Sequence, residues 1–248
     1  MANQFRQETK GLLGARMNNP LDVNPPYFHP AYAITRLRGP LEPPVVLPHG
    51  WFHEIAGPSF GHVTVKPSDN DLTIQHSGPP QGQRMVLSGR VLDSDGRGVP
   101  NTLIEIWQAN SAGRYADKAD PNFMPMDPNF TGAGRCFTDE QGNYKFTTIR
   151  PAAYAGPKGT VYRPAHIHVS LFGRLLSERL ITQCYFPGDP LMKNDPIIGS
   201  IPNLKDRERL IVAYDEEATP LTSGGENSAL SFRWDIVLRG SDSTPLLR

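Results

Sequence analysis

Cysteine is nearly missing from this sequence: Cys136 and Cys184 are the only two in 248 residues. Two thiols cannot build the multi-bridge framework of a small secreted domain, and there is no C-x-x-C pair to hold zinc. Free thiols in a reducing compartment are the expected state of both. Also lacking is any apolar run near the roughly 20 residues that a membrane helix needs. The opening stretch, MANQFRQETKGLLGARMNNP, has no apolar segment of the secretory-signal kind. A cytoplasmic protein without membrane association is expected. Neither sign of charge dominates, since 25 Lys and Arg balance 25 Asp and Glu. That balance leaves no electrostatic footprint for nucleic acid or anionic lipid.

Proline and glycine, by contrast, are plentiful, with 25 and 23 residues. Proline is excluded from helix interiors and central strands, so this abundance predicts many loops between short strands. Residues 1–56 carry Pro20, Pro25, Pro26, Pro30, Pro40, Pro43, Pro44 and Pro48, which break every candidate element there. An extended N-terminal arm is expected over 1–56, lying on the domain or on a neighbouring subunit. From residue 57 to 248 the pattern reads as a single domain with no internal repeat. Strand signals fall at HVTV (62–65), LTIQ (72–75), two runs within 84–108, YKFTTI (144–149), AHIHVSLF (165–172), ERLITQCYF (178–186) and SFRWDIVLRG (231–240). A turn is expected at Asp95-Gly96. Along 103–107, Leu103, Glu105 and Trp107 should face one way, and Ile104 and Ile106 the other. One helix is expected near 203–215, with Asn203 as its N-cap. Many short strands with few short helices predict an all-β fold, a β-sandwich of mostly antiparallel strands with long loops.

The chemistry-bearing signal is Arg163-Pro164-Ala165-His166-Ile167-His168. Residues i and i+2 of a strand share a face, so His166 and His168 project together as a two-point platform for a metal, while Ile167 and Val169 point into the core. The pair alone is weak evidence and reads more readily as two structural histidines. No neighbouring carboxylate completes a two-histidine, one-carboxylate iron site, although Asp189 and Glu178 are available. Tyr115 and Tyr154 sit in loops that can reach the histidines, and each taken alone reads as an ordinary packed aromatic.

The blocks GPSFGHVTV, LSGRVLDSDGRGVPNTLIEIWQANSAGRY, MDPNFTGAGRCFTDEQGNYKFTTIRP, YRPAHIHVSLFG, LITQCYFPGDPL and SFRWDIVLRG follow in order over residues 57–240. In them the chain resembles the intradiol ring-cleavage dioxygenases, most of all the iron-binding β subunits of the protocatechuate-cleaving type. That resemblance implies a mononuclear non-haem Fe(III) held by Tyr115, Tyr154, His166 and His168. It implies cleavage of a catechol by O2 between its hydroxyl-bearing carbons, giving a cis,cis-muconate-type dicarboxylate. Phenolate oxygen is a hard anionic donor suited to a hard trivalent ion, and two phenolates plus hydroxide balance its charge.

By the same resemblance, Tyr154 is the ligand that leaves on substrate binding, and Arg163 stabilises negative charge developing on the ring. Gln183 hydrogen-bonds near the pocket, and Trp107, Tyr32 and Ile197 line it. The partners implied are a small aromatic diol, O2, and an α-type subunit or further copies of the chain. The sequence departs from the family at Tyr154-Ala155-Gly156, where β-type relatives carry tryptophan two residues after the tyrosine. The Tyr154–His166 stretch is also one residue shorter than theirs. These departures keep other catechols in view, such as hydroxyquinol, gallate or 4-sulfocatechol. A non-catalytic β-sandwich binding module is the alternative of a different class.

Overall fold

Alternation along the strands sets the architecture. In β1 (Arg84–Leu92) every second residue is buried, and Met85, Leu87 and Val91 point inward. In β2 (Leu103–Gln108) Ile104 and Ile106 enter the core, while Leu103, Glu105 and Trp107 take the other face, as the two-residue period predicts. The computed structural model of the chain describes Ala31 and residues 64–117, 120, 122–156, 161–172, 179–219 and 229–247. The expected arm (Ala31 apart), Tyr32 and Glu178 lie outside the described residues. The further strands are β3 (Ala133–Phe137), β4 (Asn143–Ile149), β5 (Tyr154–Ala155), β6 (Tyr162–Arg163), β7 (His166–Phe172), β8 (Arg179–Tyr185), β9 (Ala213–Tyr214), β10 (Leu230–Arg233) and β11 (Ile236–Val237). Two short helices, α1 (Pro196–Gly199) and α2 (Leu204–Glu208), follow a 3-10 turn at Pro190–Asn194.

One sheet runs β3-β2-β7-β8, antiparallel throughout. A second is built on β1, which pairs with β4 antiparallel and with β10 and β11 in parallel, and β9 extends it beyond β10; β5 and β6 form a separate two-stranded pair. The facing side chains of the two larger sheets, among them Leu87, Val91 and Phe146 against Ile104, Ile167 and Val169, form one hydrophobic core. This is the expected all-β sandwich. Ile167, Val169 and Leu171 of β7 are at most 1% exposed, and each contributes about 1.5–3 kcal/mol of burial. That contribution fixes the register of β7, because a one-residue slip would turn His166 and His168 into the core.

Three local expectations are corrected. The run SFRWDIVLRG is two strands instead of one, interrupted at Trp234-Asp235. There the Trp234 carbonyl comes so close to Gly89 that a Cβ at 89 would lie 1.8 Å from it. LTIQ (72–75) is a turn, since the Asp71 carboxylate accepts the Thr73 N–H at 2.9 Å and competes with strand pairing. The predicted helix over 203–215 is only α2. Asn203 does cap it, accepting from Lys205 N at 3.0 Å. Beyond Arg209, however, Leu210 and Val212 are buried and their backbone pairs with Tyr185, so packing overrides helix propensity.

Candidate metal centre

Because Ile167 and Val169 face the core, His166 and His168 stand on the opposite face of the sheet. In register beside His168 lie Trp107 on β2 and Gln183 on β8, and Tyr185 stands beside His166. His166 Nδ1 is 2.7 Å from the Pro164 carbonyl. That contact places the proton on Nδ1 and a lone pair on Nε2, directed into the site.

The tyrosines arrive on two loops tied to each other. The Asn110 side chain accepts from Ala112 N and Arg114 N at 2.9 and 3.0 Å, and its carbonyl accepts from Ala152 N at 3.1 Å. Tyr115 N donates to Asp120 Oδ2 at 2.9 Å. Tyr154, on β5, pairs with Arg163 on β6. The sequence-predicted ligands therefore converge.

Tyr115 Oη lies 3.1 Å from His168 Nε2, which lies 3.3 Å from His166 Nε2. His166 Nε2 is in turn 3.3 Å from Tyr154 Oη, and the circuit closes at 3.5 Å back to Tyr115 Oη. Donors at about 2.0–2.1 Å from one ion in tetrahedral array stand about 3.3 Å apart. The four side chains thus have the spacing of a single-ion site.

Electrostatics fit the same reading. Burial holds His166 well below the usual imidazole range, with Arg163 and His168 adding to the effect, and burial followed by Arg163 pushes His168 down to about 3. Both rings are neutral and able to donate a lone pair. Burial, then Tyr154, pushes the Tyr115 phenol up. A multivalent cation at the centre of the ring is what reverses that preference. Among the described residues, no group of three or more His, Cys, Asp or Glu could hold an ion. Asp189 is committed elsewhere, accepting from Ala165 N at 3.1 Å and Leu191 N at 2.9 Å. An ion at this point would meet phenol oxygens and imidazole nitrogens.

Arg163 fills the buried side of the site and pairs with Asp195, whose side chain is fully buried, at 3.1 Å. It also donates to Gln183 Oε1 at 2.7 Å. Burial alone would lower its pKa, but Tyr185, Asp195 and Tyr154 outweigh that and raise it. On the open side lies a cavity of ≈ 460 Å³ whose lining includes Trp107, Tyr115, Asp117, Asp120, Tyr154 and His168. Ile197, expected to line the pocket, is buried in the hydrophobic core and is not part of this lining. A side chain at Gly156 would start 3.1 Å from the Val161 carbonyl and 3.7 Å from Arg163 Cγ, toward the arginine stem.

Asp195, Tyr185 and Asn110 belong to this site and were not singled out by sequence. Asp195-Pro196 carries only the signature of a helix N-cap, which it is, and its pairing across 32 residues leaves no local trace.

A family profile described as Dioxygenase matches residues 55–240. The chain is 47% identical to the protocatechuate 3,4-dioxygenase beta chain of Burkholderia cepacia, over 91% of its own length and 94% of that protein's. It is 33% identical to hydroxyquinol 1,2-dioxygenase of a Rhizobium species, over 48% of this chain and 43% of that one. The crystal structure of 3-chlorocatechol 1,2-dioxygenase from Rhodococcus opacus superimposes with a TM-score of 0.53 at 23% identity, covering 74% of this chain and 70% of that one, a likeness of fold. Profile, relative and fold agree, and the chain belongs to the intradiol ring-cleavage dioxygenase family.

Proposed function

We propose that this chain is the iron-bearing subunit of an enzyme that uses O2 to cleave protocatechuate, or a related substituted catechol, between its two hydroxyl carbons. The observation that carries the reading is the closed circuit of Tyr115, Tyr154, His166 and His168, with donor spacings of 3.1–3.5 Å. Fe(III) bound by those four would supply positive charge for a catecholate and an acceptor for its electron density.

The chain's own residues do the rest. Pro164 O holds the His166 tautomer, so its Nε2 needs no proton loss to bind. Tyr154, at the edge of the cavity, is placed to take a proton from a substrate hydroxyl on its Oη. Tyr115 remains as the second phenol ligand. Trp107 lies flat on His168 and forms an aromatic wall for a planar ring. Arg163 Nη1, 3.3 Å from Tyr154 Oη, is placed to stabilise negative charge there. The proposed division is an N-terminal arm over 1–56 and a catalytic domain over 57–248, and the proposed partner is an α-type chain or a further copy. The cytoplasm is the proposed compartment.

A second reading of the substrate comes from Asp117 and Asp120, which line the cavity, while no Lys or Arg does so among the described residues. Two carboxylates disfavour an anionic ring substituent and favour a hydroxyl, as on hydroxyquinol, for the chain acting alone. Oxygen uptake on protocatechuate, catechol, hydroxyquinol, gallate and 4-sulfocatechol separates the readings, with product spectra and with the chain expressed alone. Colourless iron-loaded protein that consumes no oxygen with any of them would favour a non-catalytic binding module instead.

A further inference from the structure

The two Nη atoms of Arg163 have different neighbours. Nη1 faces the four-donor circuit, 3.3 Å from Tyr154 Oη and 3.2 Å from His166 Nε2. Nη2 turns away and meets Gln183 Oε1 at 2.7 Å, Asp195 Oδ2 at 3.1 Å and Tyr185 Oη at 3.2 Å. Nε is buried and has no hydrogen-bond partner. The orientation of the guanidinium therefore depends on its Nη2 contacts.

Those contacts are unequal. Gln183 and Tyr185 are uncharged and lie on β8, and Tyr185 also donates to Gln183 at 3.1 Å. Asp195 brings the only carboxylate paired with Arg163 among the described residues. Its other oxygen accepts from Ile197 N at 2.8 Å as the N-cap of α1. Asp195 thus ties the arginine to the start of α1, outside the sheet. It also supplies the countercharge for an arginine that is 6% exposed. A buried cation stripped of its partner turns toward the nearest remaining negative or lone-pair atoms, which here are Tyr154 Oη and His166 Nε2.

We infer that Asp195 is a positioning residue for ring cleavage, holding Nη2 of Arg163 so that Nη1 keeps a defined approach to Tyr154 Oη. The inference rests on the functional reading above. It assigns Asp195 no contact with substrate; it acts through Arg163.

A double-mutant cycle of wild type, D195N, R163M and D195N/R163M tests it, read by kcat, KM and the visible absorption band of the iron-loaded protein. Asparagine retains the N-cap while removing the charge, and the double variant leaves no uncompensated buried ion. D195N is expected to lower kcat about 10- to 100-fold, the range for a residue that supports a metal ligand set, with KM nearly unchanged. The band should move to shorter wavelength, because the full arginine charge then falls on the Tyr154 oxygen. In the R163M background, D195N should change kcat by less than about 2-fold and leave the band in place. Should D195N not fold, D195S, which also caps a helix without a charge, replaces it in both backgrounds. Equal effects of D195N in both backgrounds, or a wild-type band and kcat in D195N, overturn the inference. Wild-type protein with neither band nor catechol-dependent oxygen uptake overturns it together with the functional reading.

Discussion

Trp107 and His168 lie face to face across β2 and β7, with ring centroids 4.8 Å apart and planes within 4°. They are direct cross-strand partners, so the backbone register that buries Ile167 and Val169 also sets this stack. The indole covers one face of the imidazole on the cavity side and fixes the plane in which Nε2 can point. Core packing, ligand orientation and pocket wall meet in one residue pair.

Replacing Trp107 by alanine should therefore loosen the metal as well as the pocket. Loss of an aromatic pair costs about 0.5–1.5 kcal/mol beyond buried area, and support lost around a ligand weakens metal binding about 10- to 100-fold. Trp107→Phe keeps a stacking face and should retain most of the affinity. Iron retention against increasing chelator is the measurement. Equal retention in Trp107→Ala and wild type would show that the stack does not orient His168.

Tyr115→Phe removes one oxygen and keeps the ring. Tyr115 and Tyr154 meet edge to face at 5.3 Å and 89°, a contact that phenylalanine preserves, so folding should be little affected. The visible band should lose the Tyr115 contribution, and oxygen uptake should fall at least about 10-fold. A variant with unchanged spectrum and turnover would remove Tyr115 from the ligand set.

What the sequence made legible follows from how far each signal reaches along the chain. A period of two residues is local, so the faces of β2 and β7, and the shared face of His166 and His168, could be read directly. The Asn203 cap is equally local. Convergence of Tyr115 and Tyr154 depends on loops pinned by Asn110 across some 40 residues, and it was accessible only through likeness to relatives. Asp195 was hidden because a helix N-cap accounts for the same residue. The interruption at Trp234-Asp235 was invisible because the close approach of Gly89 is a contact between distant strands. The helix expected beyond Arg209 failed for the same reason, since Tyr185 offers Leu210 and Val212 a pairing that no propensity encodes.

The cysteines give a pH-dependent prediction. Burial pushes both Cys136 and Cys184 up to about 12. A thiol with a raised pKa stays protonated, so about one in ten thousand is thiolate at pH 8. Alkylation by iodoacetamide at that pH should be slow in the folded protein and fast in denaturant. A folded-state pKa above the unfolded value near 8.5 contributes stability that is complete below about pH 8.5. That contribution is lost as pH rises toward about 12. Cys184→Ala should therefore flatten the fall of the denaturation midpoint on the alkaline side. Rapid labelling of Cys184 in native protein at pH 8 would contradict its burial.

Gly113 tests whether the two tyrosine loops act as one unit. It adopts φ +82°, and a Cβ there would lie 2.5 Å from the Ala153 carbonyl and 3.3 Å from Tyr154 Cβ. Gly96 offers the control, with φ +76° and nothing within 4 Å of its would-be Cβ. Both substitutions to alanine incur the left-handed backbone cost of about 1–2 kcal/mol. Only Gly113→Ala must also push the Tyr154 loop away from the Tyr115 loop, lengthening the 3.5 Å separation of their hydroxyls. The expected result is a modest drop in thermal midpoint for Gly96→Ala and a larger one for Gly113→Ala, with weakened iron retention in the latter alone. Equal iron retention in the two variants would mean that the tyrosines reach the metal independently, and that the contact between their loops is packing without consequence for the site.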